Sequence, residues 1–234
     1  VYREQPLLEI SADGNVITYS EDLPDAGEAN NYQTVVEGLQ NGDVSDAVEG
    51  LDAIVWSTPS LVTEANPDGV IPVSGAGFAA VGTYDLVVAG GVANKLGYAT
   101  EVGAALTIEP KTVTLESTLT AESREYNGTT DVLFTGKVAI PDTVALADQA
   151  ADDGLILADD AVTATAPAEI EGAFAQADVG ENNVAVFTNL LQGADAGNYD
   201  YFVSDENATI TPKALEITAE KVYDATTDLD GGPN

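Results

Sequence analysis

Apolar side chains recur at every second position over residues 7–11, 112–115, 183–188 and 215–218. That period places alternate side chains on one face of a β-strand, and the runs are rich in the Val, Ile, Thr and Tyr that strands favour. Asp13-Gly14-Asn15, Asn41-Gly42-Asp43, Pro67-Asp68-Gly69 and Asn127-Gly128 break the runs and read as turns. The pattern predicts a mainly β chain with one short helix over residues 43–50, where Asp43 or Ser45 caps the start and Gly50 ends it. Residues 146–160 suit either a long acidic loop or a brief helical turn. An immunoglobulin-like sandwich is the first expectation for each β domain. A β-grasp-like sheet carrying the short helix is the alternative, and periodicity does not choose between them.

The pattern also repeats. Pro6-Leu7-Leu8-Glu9-Ile10-Ser11-Ala12 leads to Thr18-Tyr19-Ser20-Glu21, and Pro110-Lys111-Thr112-Val113-Thr114-Leu115 leads to Tyr126-Asn127-Gly128-Thr129-Thr130. A third copy, Pro212-Lys213-Ala214-Leu215-Glu216-Ile217-Thr218-Ala219, leads to Tyr223-Asp224-Ala225-Thr226-Thr227. The prolines lie 104 and 102 residues apart, one ordinary domain length each. At the far end of each unit Gly97-Tyr98-Ala99 and Gly197-Asn198-Tyr199 precede Leu106-Thr107-Ile108-Glu109 and Ala208-Thr209-Ile210-Thr211. The expected organisation is tandem, elongated β domains at residues 1–109 and 110–211, with residues 212–234 as the first strand of a further repeat. Each unit closes on a strand, crosses a Pro and opens the next strand almost at once. A short joint of that kind is stiff, because Pro fixes its own φ and keeps the preceding residue extended. Two positions after the tyrosines stand Glu21, Gly128 and Ala225, so a left-handed residue, if the turn needs one, is expected one position earlier, at Asn127 and Asp224.

Composition narrows the functions. Forty acidic against seven basic side chains give a net charge of −33. Such a surface repels nucleic acid and anionic lipid, which bind through Lys and Arg. The chain has no Cys, His or Met, so it has no thiol nucleophile, Ser-His-Asp relay or ordinary zinc site. The longest uncharged stretch, residues 69–84, falls short of the roughly 20 apolar residues that cross a bilayer, so no membrane insertion is expected. A start at Val1 without a basic leader suggests a fragment or a processed piece, and the acidity and lack of oxidisable residues suit an exterior compartment.

Lys221-Val222-Tyr223-Asp224-Ala225-Thr226-Thr227, Leu191-Gln192-Gly193-Ala194-Asp195-Ala196-Gly197-Asn198-Tyr199 and Ala208-Thr209-Ile210-Thr211-Pro212-Lys213 resemble the YDG-type repeat of large bacterial surface adhesins of the filamentous haemagglutinin kind. Residues 1–109 are similar to the related MBG-type domain in Ile17-Thr18-Tyr19-Ser20-Glu21-Asp22-Leu23-Pro24, Glu37-Gly38-Leu39-Gln40-Asn41-Gly42-Asp43, Gly82-Thr83-Tyr84-Asp85-Leu86 and Ala105-Leu106-Thr107-Ile108. Ser20 stands where the MBG pattern has Gly, and the signature reads Tyr-Asn-Gly and Tyr-Asp-Ala. The resemblance implies secreted tandem modules forming the non-catalytic stalk of an adhesin or a biofilm matrix fibre. It implies extracellular location, neighbouring repeats as partners and no catalytic residues.

Four further features carry candidate chemistry. Ser74-Gly75-Ala76-Gly77-Phe78-Ala79-Ala80 imitates a dinucleotide fingerprint, but a strand rather than a helix is expected after it, which leaves a small-residue turn and no cofactor. Calcium is the chemical alternative, since it takes hard oxygen ligands. Asp152, Asp153, Asp159 and Asp160 are its candidate ligands, with Asp148 beside them and a second cluster at Asp224, Asp228 and Asp230. Lys111 and Lys213, near strand ends, suit an amide crosslink to Asn or Asp. The recurring Tyr19, Tyr126 and Tyr223, with Tyr98 and Tyr199, are expected as packing anchors whose hydroxyls meet neighbouring backbone, and lone Trp56 as a core or interface residue. The rival function is a module that itself binds exopolysaccharide, host glycan or calcium.

Overall fold

The computed structural model describes residues 5–24, 32–45, 48–92, 97–140, 142–145, 148, 153–186, 188–202 and 206–218. The chain is mainly β, and no helix among the described residues reaches seven residues. The first unit holds strands β1 (Leu7–Asp13), β2 (Val16–Thr18), β3 (Gln33–Glu37), β4 (Val55–Ser57), β5 (Gly82–Asp85), β6 (Val87–Ala89), β7 (Ala99–Val102) and β8 (Ala105–Glu109). β1 shows how the sequence builds them: Leu8, Ile10 and Ala12 turn inward while Glu9 and Asp13 face water. It pairs antiparallel with β3 on one side and parallel with β7 on the other. β8 lies between β2, parallel, and β5, antiparallel. β4 pairs with β6 and carries Trp56 into the core, where the indole N–H donates to Thr34 Oγ1 at 3.1 Å.

The second unit begins with β9 (Lys111–Val113), β10 (Glu116–Ser117), β11 (Thr120–Ala121), β12 (Arg124–Glu125), β13 (Phe134–Thr135), β14 (Val138–Ala139) and β15 (Thr143–Val144). It continues with β16 (Ile156–Leu157), β17 (Thr163–Ala164), β18 (Gly172–Phe174), β19 (Gly180–Val186), β20 (Leu191–Gln192), β21 (Tyr199–Tyr201) and β22 (Glu206–Thr211). β9 follows β8 across Pro110 alone, as the short joint predicts. Its main sheet runs β12-β22-β19-β18.

The two units share a plan at particular atoms. β12 runs parallel to β22 as β2 does to β8. The Tyr19 N–H donates to Glu109 O at 2.8 Å and the Tyr126 N–H to Thr211 O at 2.9 Å. Gly82 faces Ile108, and Gly180 faces Ile210. β17 pairs antiparallel with β20 as β4 does with β6. Just past β6 and β20, Gly90 and Gly193 have φ of +90° and +121°, and a Cβ on either would lie 2.0 Å from a carbonyl oxygen, of Ala53 and Ala161 respectively. Only glycine fits there.

One hydrophobic core crosses the boundary between the units. Leu8, Ile10, Trp56, Ile71, Leu106 and Ile108 of the first unit are continuous with Ile156, Leu157, Leu191 and Tyr199 of the second. Two smaller clusters lie wholly in the second unit, around Phe174 and Ile210 and around Leu119 and Leu190. Each buried Leu or Ile contributes about 1.5–3 kcal/mol, so a shared cluster couples the stability of the two units.

Local expectations differ in three places. The helix over residues 43–50 is replaced by short 3-10 turns: Val48 N–H returns to Ser45 O at 2.9 Å, and a second turn spans Leu51–Ala53. Asp46 and Ala47 lie outside the described residues. Gly50 adopts φ +92° at the head of that second turn rather than ending a helix. The left-handed residue after the tyrosine is Ser20 (φ 81°) in the first unit but Gly128 (φ 82°), not Asn127, in the second. There Asn127 Oδ1 instead accepts from the Thr129 N–H at 2.9 Å, an Asx turn that holds the side chain over its own backbone. Residues 213–218 pair with no strand, and Leu215 and Ile217 are exposed. Residues 219–234 lie outside the described residues.

Candidate functional site

Among the described residues, a densely connected polar cluster lies where the two units meet. In the first unit, the loop after Val73 closes tightly: the Ser74 N–H donates to Phe78 O and the Gly77 N–H to Ser74 O. Gly75, which is exposed, and Ala76, which is half-buried, direct their N–H groups to acceptors outside the loop. The second unit supplies them. Asp160 Oδ1 accepts from Ala76 N–H at 2.8 Å, and Asp195 Oδ1 accepts from Gly75 N–H at 3.3 Å. Asp195 Oδ2 also accepts from Ala161 N–H at 2.8 Å, which fixes the carboxylate to its own unit. Asn198, in the 3-10 turn Ala196–Asn198, offers Oδ1 to the Val81 N–H at 2.9 Å. The glycine-rich run thus does hold anions with its backbone, but those anions are carboxylates of the same chain.

Two tyrosines complete the junction. Tyr19, placed after β2 and fully buried, donates its hydroxyl to Asp160 Oδ2 at 2.5 Å. Its oxygen also meets Ser74 Oγ, and because a phenol has one proton, the Ser74 hydroxyl donates to it. Tyr199 donates to the same Asp160 oxygen at 2.6 Å and accepts from Leu157 N–H at 3.0 Å. The rings of Tyr19 and Tyr199 meet edge to face, centroids 5.3 Å apart, and Tyr19 meets Phe78 likewise at 6.0 Å. Both phenols are pushed well above the usual tyrosine range, first by burial and then by the Asp160 carboxylate, which a phenolate would repel. They are therefore fixed donors at neutral pH rather than acid–base groups.

The sequence candidates fall apart in space. Asp153 pairs with Lys111 Nζ at 2.8 Å, the lysine side chain fully buried beside the Pro110 joint, while Asp159 is exposed and Asp160 belongs to the junction. Asp152, Asp224, Asp228 and Asp230 lie outside the described residues, and exposed Asp148 turns its N–H to Ala145 O. Among the described residues no group of three or more acidic side chains is placed to hold a metal ion. Lys111 meets Asp153 as an ion pair, and Lys213 is exposed. Tyr98 follows the anchor expectation, accepting from Gln40 N–H at 2.8 Å and donating to Asp43 Oδ2 at 2.8 Å. Tyr19 departs from it by reaching a side chain of the other unit. Ser74, Asp195 and Asn198 were not singled out from sequence as site residues, although Asp195-Ala196-Gly197-Asn198 sits inside the quoted motif.

The strands on either side of Pro110 are thus joined through a buried carboxylate–tyrosine contact. Residues 109–210 match the model of the YDG domain. No curated protein and no solved structure matches the chain. No helix among the described residues is long and apolar enough to cross a membrane.

Proposed function

We propose that the chain is a stalk segment of a secreted bacterial adhesin or biofilm matrix fibre, in which an MBG-type unit (residues 1–109) and a YDG-type unit are held in fixed register outside the cell. Its work is mechanical and no reaction is assigned to it. The observation that supports this reading is the junction: a shared core and three hydrogen bonds from backbone N–H groups at residues 75, 76 and 81 to second-unit side chains, beside the Tyr19–Asp160 contact. A flexible tether would need none of these, whereas a load-bearing spacer needs all neighbouring units to move as one. A glycan-binding role has less support. A shallow cleft of about 670 Å³ beside β1 and β7 is lined by Glu9, Glu37, Asp85 and Glu101 and contains no aromatic face for a sugar to stack on.

The test is deletion of residues 110–211 within the parent protein, followed by electron microscopy of the surface fibre and an adhesion assay. The expected result is a fibre shorter by about one domain with distal adhesion retained. Unchanged fibre length with lost binding would overturn the stalk reading in favour of a ligand-binding module.

A further inference from the structure

The shared plan of the two units makes it meaningful to ask what covers the second unit where the first unit is covered by its neighbour. Tyr126 is the counterpart of Tyr19: both follow the short parallel strand and both donate their N–H to the last residue of the closing strand, Thr211 or Glu109. Val179 is the counterpart of Val81, since each precedes the glycine that faces Ile210 or Ile108. In the first unit Tyr19 is 0% exposed and Val81 packs against the core shared with the second unit. In the second unit Tyr126 is 42% and Val179 51% exposed. Two residues separated by more than fifty positions in sequence thus lose their cover together, at the end of the unit from which Pro212 leads away.

We infer that the Tyr126–Val179 face is a docking surface for a following YDG-type unit, which seats the Tyr126 phenol between its own equivalents of Asp160 and Tyr199. The occupant is specified by the socket. Asp160, Asp195, Asn198 and Tyr199 all belong to the YDG-matched unit; the first unit has Asp52 and Tyr98 in the places of Asp160 and Tyr199, but Gly97 in the place of Asn198, which holds the Val81 N–H at the first junction. A YDG-type unit carries the complete socket and an MBG-type unit does not. The second junction is leaner than the first, because the counterpart of the loop at residues 75 and 76 is taken up by β18, where Phe174 N–H already donates to Thr130 O at 2.8 Å. The Tyr126 hydroxyl, the Val179 side chain and the Val179 N–H, which stands where the Val81 N–H meets Asn198, remain as its contacts. This inference rests on the tandem-stalk reading above.

The experiment compares the 234-residue chain with one in which residues 212–234 are replaced by a second copy of residues 110–211 carrying Tyr126→Phe, so that the Tyr126 peptide comes from the second unit alone. Both are treated with tetranitromethane and the nitrated tyrosines quantified by peptide mass spectrometry. Tyr19 and Tyr199 are expected to react slowly in both chains. Tyr126 should react readily in the first and at least about tenfold more slowly in the extended chain, as burial requires. Equal reactivity of Tyr126 in an extended chain whose circular dichroism shows the added unit folded would overturn the inference. Protection of Tyr126 in the unextended chain that rises with concentration would assign the face to a second copy and overturn it equally. Tyr126→Glu provides a variant that leaves folding of the 234-residue chain intact, the side chain being exposed, and should expose the added unit's copy of Tyr199 to reagent. If docking fails, the fibre-length test is untouched; if the stalk reading fails, fibre length reports it independently of Tyr126.

Discussion

Asp160 accepts three hydrogen bonds, from the Tyr19 and Tyr199 hydroxyls and the Ala76 N–H, in a nearly dry setting. A buried carboxylate is tolerated only when so many donors replace water, and removing one leaves the rest poorly matched. Tyr19→Phe should therefore lower unfolding free energy in urea by about 1–3 kcal/mol. The same contacts set an alkaline limit. Both phenols ionise above the ordinary tyrosine value of 10.0 in the folded chain, so they hold their protons more tightly folded than unfolded. Their contribution is complete below pH of about 10 and is lost as pH rises above it, when the unfolded chain releases protons first. Melting temperature should be flat with respect to these groups from neutrality to about pH 9 and fall beyond, with the fall blunted in a Tyr19→Phe, Tyr199→Phe double variant. An identical alkaline slope in the double variant would show that other groups govern it. Sequence indicated that these tyrosines anchor something, because they recur, but not that their partner is Asp160. The neighbours of Asp160 in sequence suggested calcium. Its neighbours in space are two phenols from positions 39 and 141 residues away, and no spacing rule reports contacts of that range.

At the scale of elements, period-two alternation revealed β1 and β19, each seven residues long with one face buried, and the repeat correspondence marked β8 and β22 as closing strands; the alternating run at 215–218 forms no strand. The two-residue strands β10 to β17 are too short to alternate, so they were not legible. The helix expected at residues 43–50 had a cap and a terminator but no apolar stripe to bury, and tertiary packing settled the segment as 3-10 turns. Gly90 and Gly193 were hidden for another reason: their necessity arises from the backbone just before β4 and β17, at Ala53-Ile54 and Ala161-Val162, passing against them, which no local window contains. Each glycine combines positive φ with a Cβ position 2.0 Å from a carbonyl oxygen. Gly90→Ala and Gly193→Ala should each cost more than about 2 kcal/mol of stability, since backbone must move to admit the methyl group. Gly91→Ala and Gly197→Ala are the matched controls: their Cβ atoms meet nothing within 4 Å and neither residue has left-handed φ. Melting curves of the four variants should separate into two destabilised and two near parental, and four equal shifts would refute the shared plan as the cause.

At the scale of the whole molecule, the chain carries a net charge of −33, and the sheet topology sets three of its carboxylates directly opposite one another. In the β3-β1-β7 sheet, Glu9 lies directly opposite Glu37 on one side and Glu101 on the other, all three exposed. Like charges opposed across neighbouring strands are destabilising, each pair by roughly 0.2–1 kcal/mol, and the net charge adds a diffuse repulsion that disfavours the compact state. Both terms are screened within a Debye length of about 8 Å at physiological ionic strength. Stability should therefore rise with salt: melting temperature should increase steadily as sodium chloride is raised from about 10 mM to about 0.5 M, the range over which the Debye length contracts most. Glu9→Lys converts two repulsive pairs into two attractive ones, so it should raise stability at low salt by about 1 kcal/mol and lose most of that advantage at high salt. Sodium chloride and sodium sulfate matched for ionic strength distinguish screening from solute exclusion, because only the second depends strongly on the identity of the anion. A melting temperature independent of sodium chloride, or a Glu9→Lys advantage that persists unscreened, would show that this glutamate row does not limit the fold. Under the proposed role the same repulsion keeps neighbouring fibres apart while leaving each junction intact, since the junction's carboxylates are buried against donors and lie beyond the reach of the screening ions.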